Sequence, residues 1–251
     1  MATSSVSLTS QLWLPFLATA GASLTVLAVQ SLSQYRKEHR QRIYAVGFMA
    51  DVLFRLVHSE LIIQKHTIGP HIEATKRILS GDHALLEVTL DTDEFDILSA
   101  GPLSFIKLPE DHKVLVGYDD IHIVQAFDTL LYLHSDDSNR LALRAFVAEN
   151  LKSKKHFLEL SVADQQDILN TYWDHLRALE HDGKRLAAFA FYIVSPMLRA
   201  YASSKTFRFF STKAILETLE SISSLQSEYR DFVPTQEFLS QSRDSGIQGA
   251  L

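Results

Sequence analysis

No charged side chain occurs between Met1 and Tyr35, and within that stretch Leu12 to Val29 is an almost unbroken apolar run of eighteen residues. A helix rises about 1.5 Å per residue, so such a run covers most of the roughly 30 Å hydrocarbon core of a bilayer. The run predicts a membrane-spanning helix over residues 12–30, preceded by an extracytoplasmic N-terminus, residues 1–11. Trp13, Leu14, Phe16, Leu24 and Leu27 are its apolar anchors, with Trp13 suited to the interface belt and Pro15 harmless in the first turn. Arg36, Lys37, Arg40 and Arg42 come at once after it. Cations flanking a first span stay preferentially on the cytoplasmic side, which predicts the N-terminus out and the bulk of the chain in the cytoplasm. Ala18-Thr19-Ala20 has the pattern of a signal-peptide cleavage site, but no basic region precedes it and the apolar run continues past it. Ala18, Gly21, Ala22 and Thr25 place small residues where transmembrane helices could pack together.

The chain beyond the anchor is long enough for one globular domain, residues 31–233, with a flexible tail from 234 to 251. Nine glycines and six prolines punctuate 251 residues. Apolar spacings of three and four dominate, so the fold class is mainly α: an N-terminal transmembrane helix followed by a cytoplasmic helical bundle. Val46, Met49, Val52, Leu53, Leu56 and Val57 form one stripe, which predicts that Ile43–Ile63 continues the anchor as a single long helix. Gly69-Pro70 predicts a break or kink, and Ser80-Gly81-Asp82 a turn. Further helices are expected over Pro109–Leu133, Asn139–Leu151, Val162–Glu180 and Thr212–Tyr229, with Gly183 separating the third from an apolar segment, Leu186–Tyr201. That segment reads as a buried central helix kinked at Ser195-Pro196, with a membrane-entering segment as the alternative.

Charge is unevenly distributed along the chain. Residues 82–137 hold thirteen acids against Lys107 and Lys113, whereas residues 183–216 hold no acid and six cations. Arg199, Lys205, Arg208 and Lys213 are interleaved there with aromatics such as Phe207. One expectation is that this basic segment pairs with carboxylates such as Asp91, Asp93, Glu94 and Asp96; the other is that it rests on membrane lipid. A net charge of −6 and the lack of a recognised binding motif argue against nucleic acid.

Local catalytic signatures are missing: no phosphate loop, no His-Glu-x-x-His, no Gly-x-Ser-x-Gly. The absence of cysteine removes thiolate metal sites and cysteine nucleophiles. Asp119-x-x-His122 has helical spacing but lacks the companion Glu-x-x-His motifs that a dinuclear site requires, so neither metal nor cofactor is expected. Arg77-x5-His83 resembles, in spacing, the Arg-x4-6-His signature of helical HEPN ribonucleases, which implies that the pair acts on an RNA phosphodiester. The resemblance covers seven residues, crosses Ser80-Gly81, and has Ile78 where that family often has a polar residue. Without that resemblance, Arg77 reads as a cation complementing a helix C-terminus.

Three function classes are compatible with these features. The leading one is a single-pass, membrane-anchored interaction protein, a scaffold or accessory subunit with a protein partner or a second copy of itself. An oligomeric membrane effector or pore-forming protein, and a membrane-tethered helical ribonuclease, are the alternatives.

Overall fold

A computed structural model describes residues 8–81, 109–151, 154–204 and 212–243, with side chains described between Ser23 and Leu239, Lys154 excepted. Every element among these residues is helical. The first, α1, runs unbroken from Leu8 to Ile63, 56 residues. Its second half is the spine of the main core. Val46, Met49, Val52, Leu53, Leu56 and Val57 are each at most 3% exposed, as the apolar stripe predicts.

At Gly69-Pro70 the chain stays helical instead of breaking. A π-turn, Gln64–Ile68, joins α1 to α2 (Gly69–Leu79), and the Gly69 amide donates to the Gln64 carbonyl five residues back. Proline has no N–H to give and its ring crowds the carbonyl four residues earlier, so widening the preceding turn accommodates it. α2 ends at Ser80 and Gly81, where φ of +110° suits a residue without a Cβ.

The helix expected over Pro109–Leu133 is two helices, α3 (Glu110–Gly117) and α4 (Ile121–Ser135). Asp120 is the cause: its backbone is extended and its carboxylate accepts the His122 amide at 3.0 Å, starting α4 afresh. After α5 (Ser138–Asn150) and α6 (Lys154–Glu159) comes α7, Val162–Phe189, capped by the Ser161 hydroxyl accepting from the Asp164 amide. Gly183 lies inside α7 and does not end it. A second π-turn, Ala190–Val194, again precedes an X-Pro pair and leads into α8, Ser195–Ala202. Next is α9 (Lys213–Glu228), and the tail expected from Pro234 carries a further helix, α10, at Gln236–Arg243.

The helices pack in two layers that share α1 and α7. Around the lower half of α1 lie α3, α4, α8 and α9, with Phe127, Leu130, Leu198, Leu219 and Ile222 fully enclosed. Each such side chain contributes about 1.5–3 kcal/mol over its exposed state. The second layer sets α2 and α5 against α7 through Ile68, Leu143, Tyr172 and Leu176. Leu186, Ala187, Ala188, Val194 and Leu198 are all buried, so the segment 186–201 is the central helix of the core. Among the described residues no helix is long and apolar enough to cross a membrane.

Candidate functional site

The feature that sets this fold apart from an ordinary bundle is the upper part of α1. Every residue from Ser23 to Lys37 is exposed, including Leu24 at 67%, Leu27 at 58%, Val29 at 61% and Leu32 at 54%. Nothing else in the described chain packs on it. Of the predicted anchor residues, Leu24, Leu27, Arg36 and Lys37 stand on this exposed stretch, as does Thr25, and Arg40 is exposed one turn below it. Trp13, Leu14, Phe16, Ala18, Gly21 and Ala22 have side chains outside the described residues. At about 100° per residue, Leu24, Val26, Leu27 and Val29 lie near 0°, 200°, 300° and 140° around the axis. The apolar surface therefore surrounds the helix and does not form a single stripe. A coiled-coil partner would cover only part of it.

Below this stretch α1 enters the bundle, and one side of it is fastened there. Among the residues with described side chains, His39 is the first that is buried, at 3% exposure. Arg42 turns the same way. Its Nη1 donates to both Asp119 carboxylate oxygens, at 2.9 and 2.8 Å, and its guanidinium lies over the Tyr118 ring, 5.5 Å from its centre. Tyr201 Oη donates to Asp119 Oδ2 at 2.8 Å, so Asp119 ties α1 to α8. Burial, then the hydrogen bond to Asp119, pushes the Tyr201 phenol well above its ordinary pKa and keeps it a donor. Asp119 is thereby committed to structure, and His122, its partner in the Asp-x-x-His spacing, is exposed. Among the described residues no group of side chains has the arrangement of a metal site.

The basic-aromatic segment is only partly described. Arg199 donates to the Leu219 carbonyl and to Ser223 Oγ, both at 3.1 Å, bracing α8 against α9. Lys213 is exposed and 3.6 Å from Glu217 on its own helix. Lys205, Phe207 and Arg208 lie outside the described residues, as do Asp91, Asp93, Glu94 and Asp96. Arg77 is exposed in the last turn of α2, where a cation suits the helix dipole, and His83 lies outside the described residues.

Sequence reasoning missed a buried polar cluster where α1, α5 and α7 meet. Glu60 is 3% exposed and Gln64 2%. Gln64 Nε2 donates to Glu60 Oε1 at 3.0 Å and to the Leu179 carbonyl at 3.2 Å, and Arg140 Nη2 donates to Glu60 Oε2 at 2.9 Å. The sequence does carry a signal for it. Glu60 and Gln64 continue the spacing of Leu53, Leu56 and Val57, so a carboxylate and an amide occupy the buried face of a helix, which requires a partner. Both Glu60 oxygens are engaged, and the adjoining cavity of about 20 Å³ is the size of a single water and not of a substrate. The cluster locks helices together.

His134 lines that cavity, and among the described residues neither of its ring nitrogens, both buried, has a hydrogen-bond partner. Burial first, then the nearby Arg140 charge, lowers its pKa below the usual 6.5, with Glu60 acting the other way. The folded state thus disfavours protonation, and the unfolded chain binds the extra proton as pH falls below 6.5. Stability that is full above that pH should be lost progressively beneath it. Urea midpoints of the full chain in mild detergent should fall between pH 7.5 and 5, and His134→Gln should flatten that fall. An unchanged slope in the variant would assign the pH dependence to other groups.

No protein-family model, no curated protein and no solved structure matches this chain.

Proposed function

We propose that this chain is a single-pass, membrane-anchored helical interaction protein, a scaffold or accessory subunit that holds its bundle against the cytoplasmic face of a membrane. The observation that carries the reading is the upper part of α1: exposed on every side, apolar around its whole circumference at residues 24–29, and followed by the exposed cations Arg36, Lys37 and Arg40. A soluble bundle has no reason to project such a helix, because an apolar cylinder in water costs free energy that its own chain could recover by packing on it. Lipid covers a cylinder from all sides. The span itself would be Leu12–Val29, continuous with α1; described side chains begin only at Ser23, so the span does not lie wholly among the residues in which no crossing helix is found. The bundle below it offers helix faces to a protein partner or to a second copy.

Fractionation tests this directly. The full chain should sediment with membranes and resist extraction at alkaline pH, and removal of residues 1–30 should release it. Protease added outside intact cells should spare the bundle. Recovery of the full chain in the alkaline supernatant would reject the anchor, and digestion of the bundle from outside would reject the orientation.

A further inference from the structure

We propose that one face of α1, carrying Arg36, Lys37, Arg40 and Tyr44, binds the headgroup of an anionic phospholipid. This rests on the anchored reading above and adds a lipid selectivity to it. The four side chains line a shallow cleft of about 530 Å³, together with Val29 and Leu32 nearer the apolar run. Arg36, Arg40 and Tyr44 succeed one another at intervals of four, so they descend a single side of the helix over about 12 Å. All four are exposed, Tyr44 at 73%.

The face is positive and unbalanced. Arg36, Lys37 and Arg40 make no ion pair among the described residues, although α1 carries acids of its own. Glu38 accepts from Gln34 and lies about 200° around the axis from Arg36 and from Arg40. The next acid along, Asp51, is held by Arg55 at 3.0 Å. Arg42, also about 200° from Arg40, points into the bundle and meets Asp119 there. This part of the helix thus sorts its four cations: Arg42 fastens the bundle, and Arg36, Lys37 and Arg40 face outward with no carboxylate paired to them among the described residues.

Four further residues line the cleft, and their order along the helix points to the occupant. Val29 and Leu32 form an apolar bed above the cations, with the polar Ser33 and Gln41 beside the charges, which matches a molecule with an acyl chain above an anionic group. A nucleic acid or an acidic peptide brings the charge without the chain. Tyr44 closes the lower end of the cleft, about 22 Å along α1 from Val29 and below the headgroups, so the binding rests on the three cations.

The test uses the full chain reconstituted in phosphatidylcholine vesicles containing a trace of spin-labelled phosphatidylserine or spin-labelled phosphatidylcholine. The motionally restricted fraction of each label reports lipid held at the protein surface. The serine lipid should be enriched over the choline lipid roughly five-fold or more, the preference should shrink in 0.5 M salt, and Arg36→Gln with Lys37→Gln and Arg40→Gln should abolish it while the chain stays in the vesicles. A preference that survives the triple substitution would place the anionic lipid elsewhere and overturn the proposal. Equal restriction of both labels with the chain still embedded would overturn it and leave the anchor standing. A chain that does not enter the vesicles would overturn both.

Discussion

Arg140→Met should destabilise the full chain by about 3–5 kcal/mol, because it leaves a buried carboxylate without its countercharge. Glu60 is 4% exposed at its side chain and Arg140 17%. Methionine fills much of the space of the arginine stem, so the loss isolates the charge and not the packing. Gln64 would still donate to Glu60 Oε1, but nothing nearby replaces the guanidinium at Oε2. Urea denaturation in mild detergent measures the difference. The double variant, Glu60→Gln with Arg140→Met, should recover much of the loss, since removing both charges of a buried pair is far less costly than removing one. A single variant as stable as the parent would mean that water reaches Glu60 freely.

Gly183→Ala should also destabilise, by about 2 kcal/mol or more, although alanine is the better helix former by about 1 kcal/mol. A Cβ at this position would collide with the Gln64 amide and the Glu60 carboxylate, both buried and held by hydrogen bonds. Neither can step aside without breaking the link to Leu179 or to Arg140. Gly47→Ala provides the control with the opposite sign. There the new Cβ would meet Ile215 Cγ1 at 3.7 Å, an ordinary contact, so the propensity gain should appear as added stability of up to about 1 kcal/mol. If both glycines responded alike, the close approach of α7 to α1 would not be what fixes residue 183.

This pair also marks the limit of what the amino-acid order reveals. The stripe from Val46 to Val57 is legible because a repeating apolar period reports burial directly, and the helix bounds expected at Asn139–Leu151 and Thr212–Tyr229 lie within a residue or two of those observed. Gly183 reads as a separator because glycine is a poor helix former. Inside α7 that local cost is smaller than the gain from bringing two helices close enough for Gln64 to reach the Leu179 carbonyl. The two prolines read as breaks; π-turns carry the helix into both, a change of hydrogen-bond register that packing on either side decides. The exposed cations at Arg36, Lys37 and Arg40 are visible as a cluster, but their separation from Arg42 is not, because it depends on which side of α1 the bundle occupies. That side is set by residues far along the chain, Asp119 and Tyr201 among them.

Because α1 passes from its exposed part into the core with no intervening loop, the bundle has no swivel. On the anchored reading, the ten helical steps from Val29 to His39 fix its standoff below the hydrocarbon at about 15 Å, beyond the headgroup layer. They fix its heading as well. Each residue inserted between them would lower the bundle by about 1.5 Å and turn it by about 100°, whereas seven inserted together would move it down about 10 Å and turn it back by only about 20°. On that reading, the length of one helix sets both how deep the bundle hangs and which way it faces.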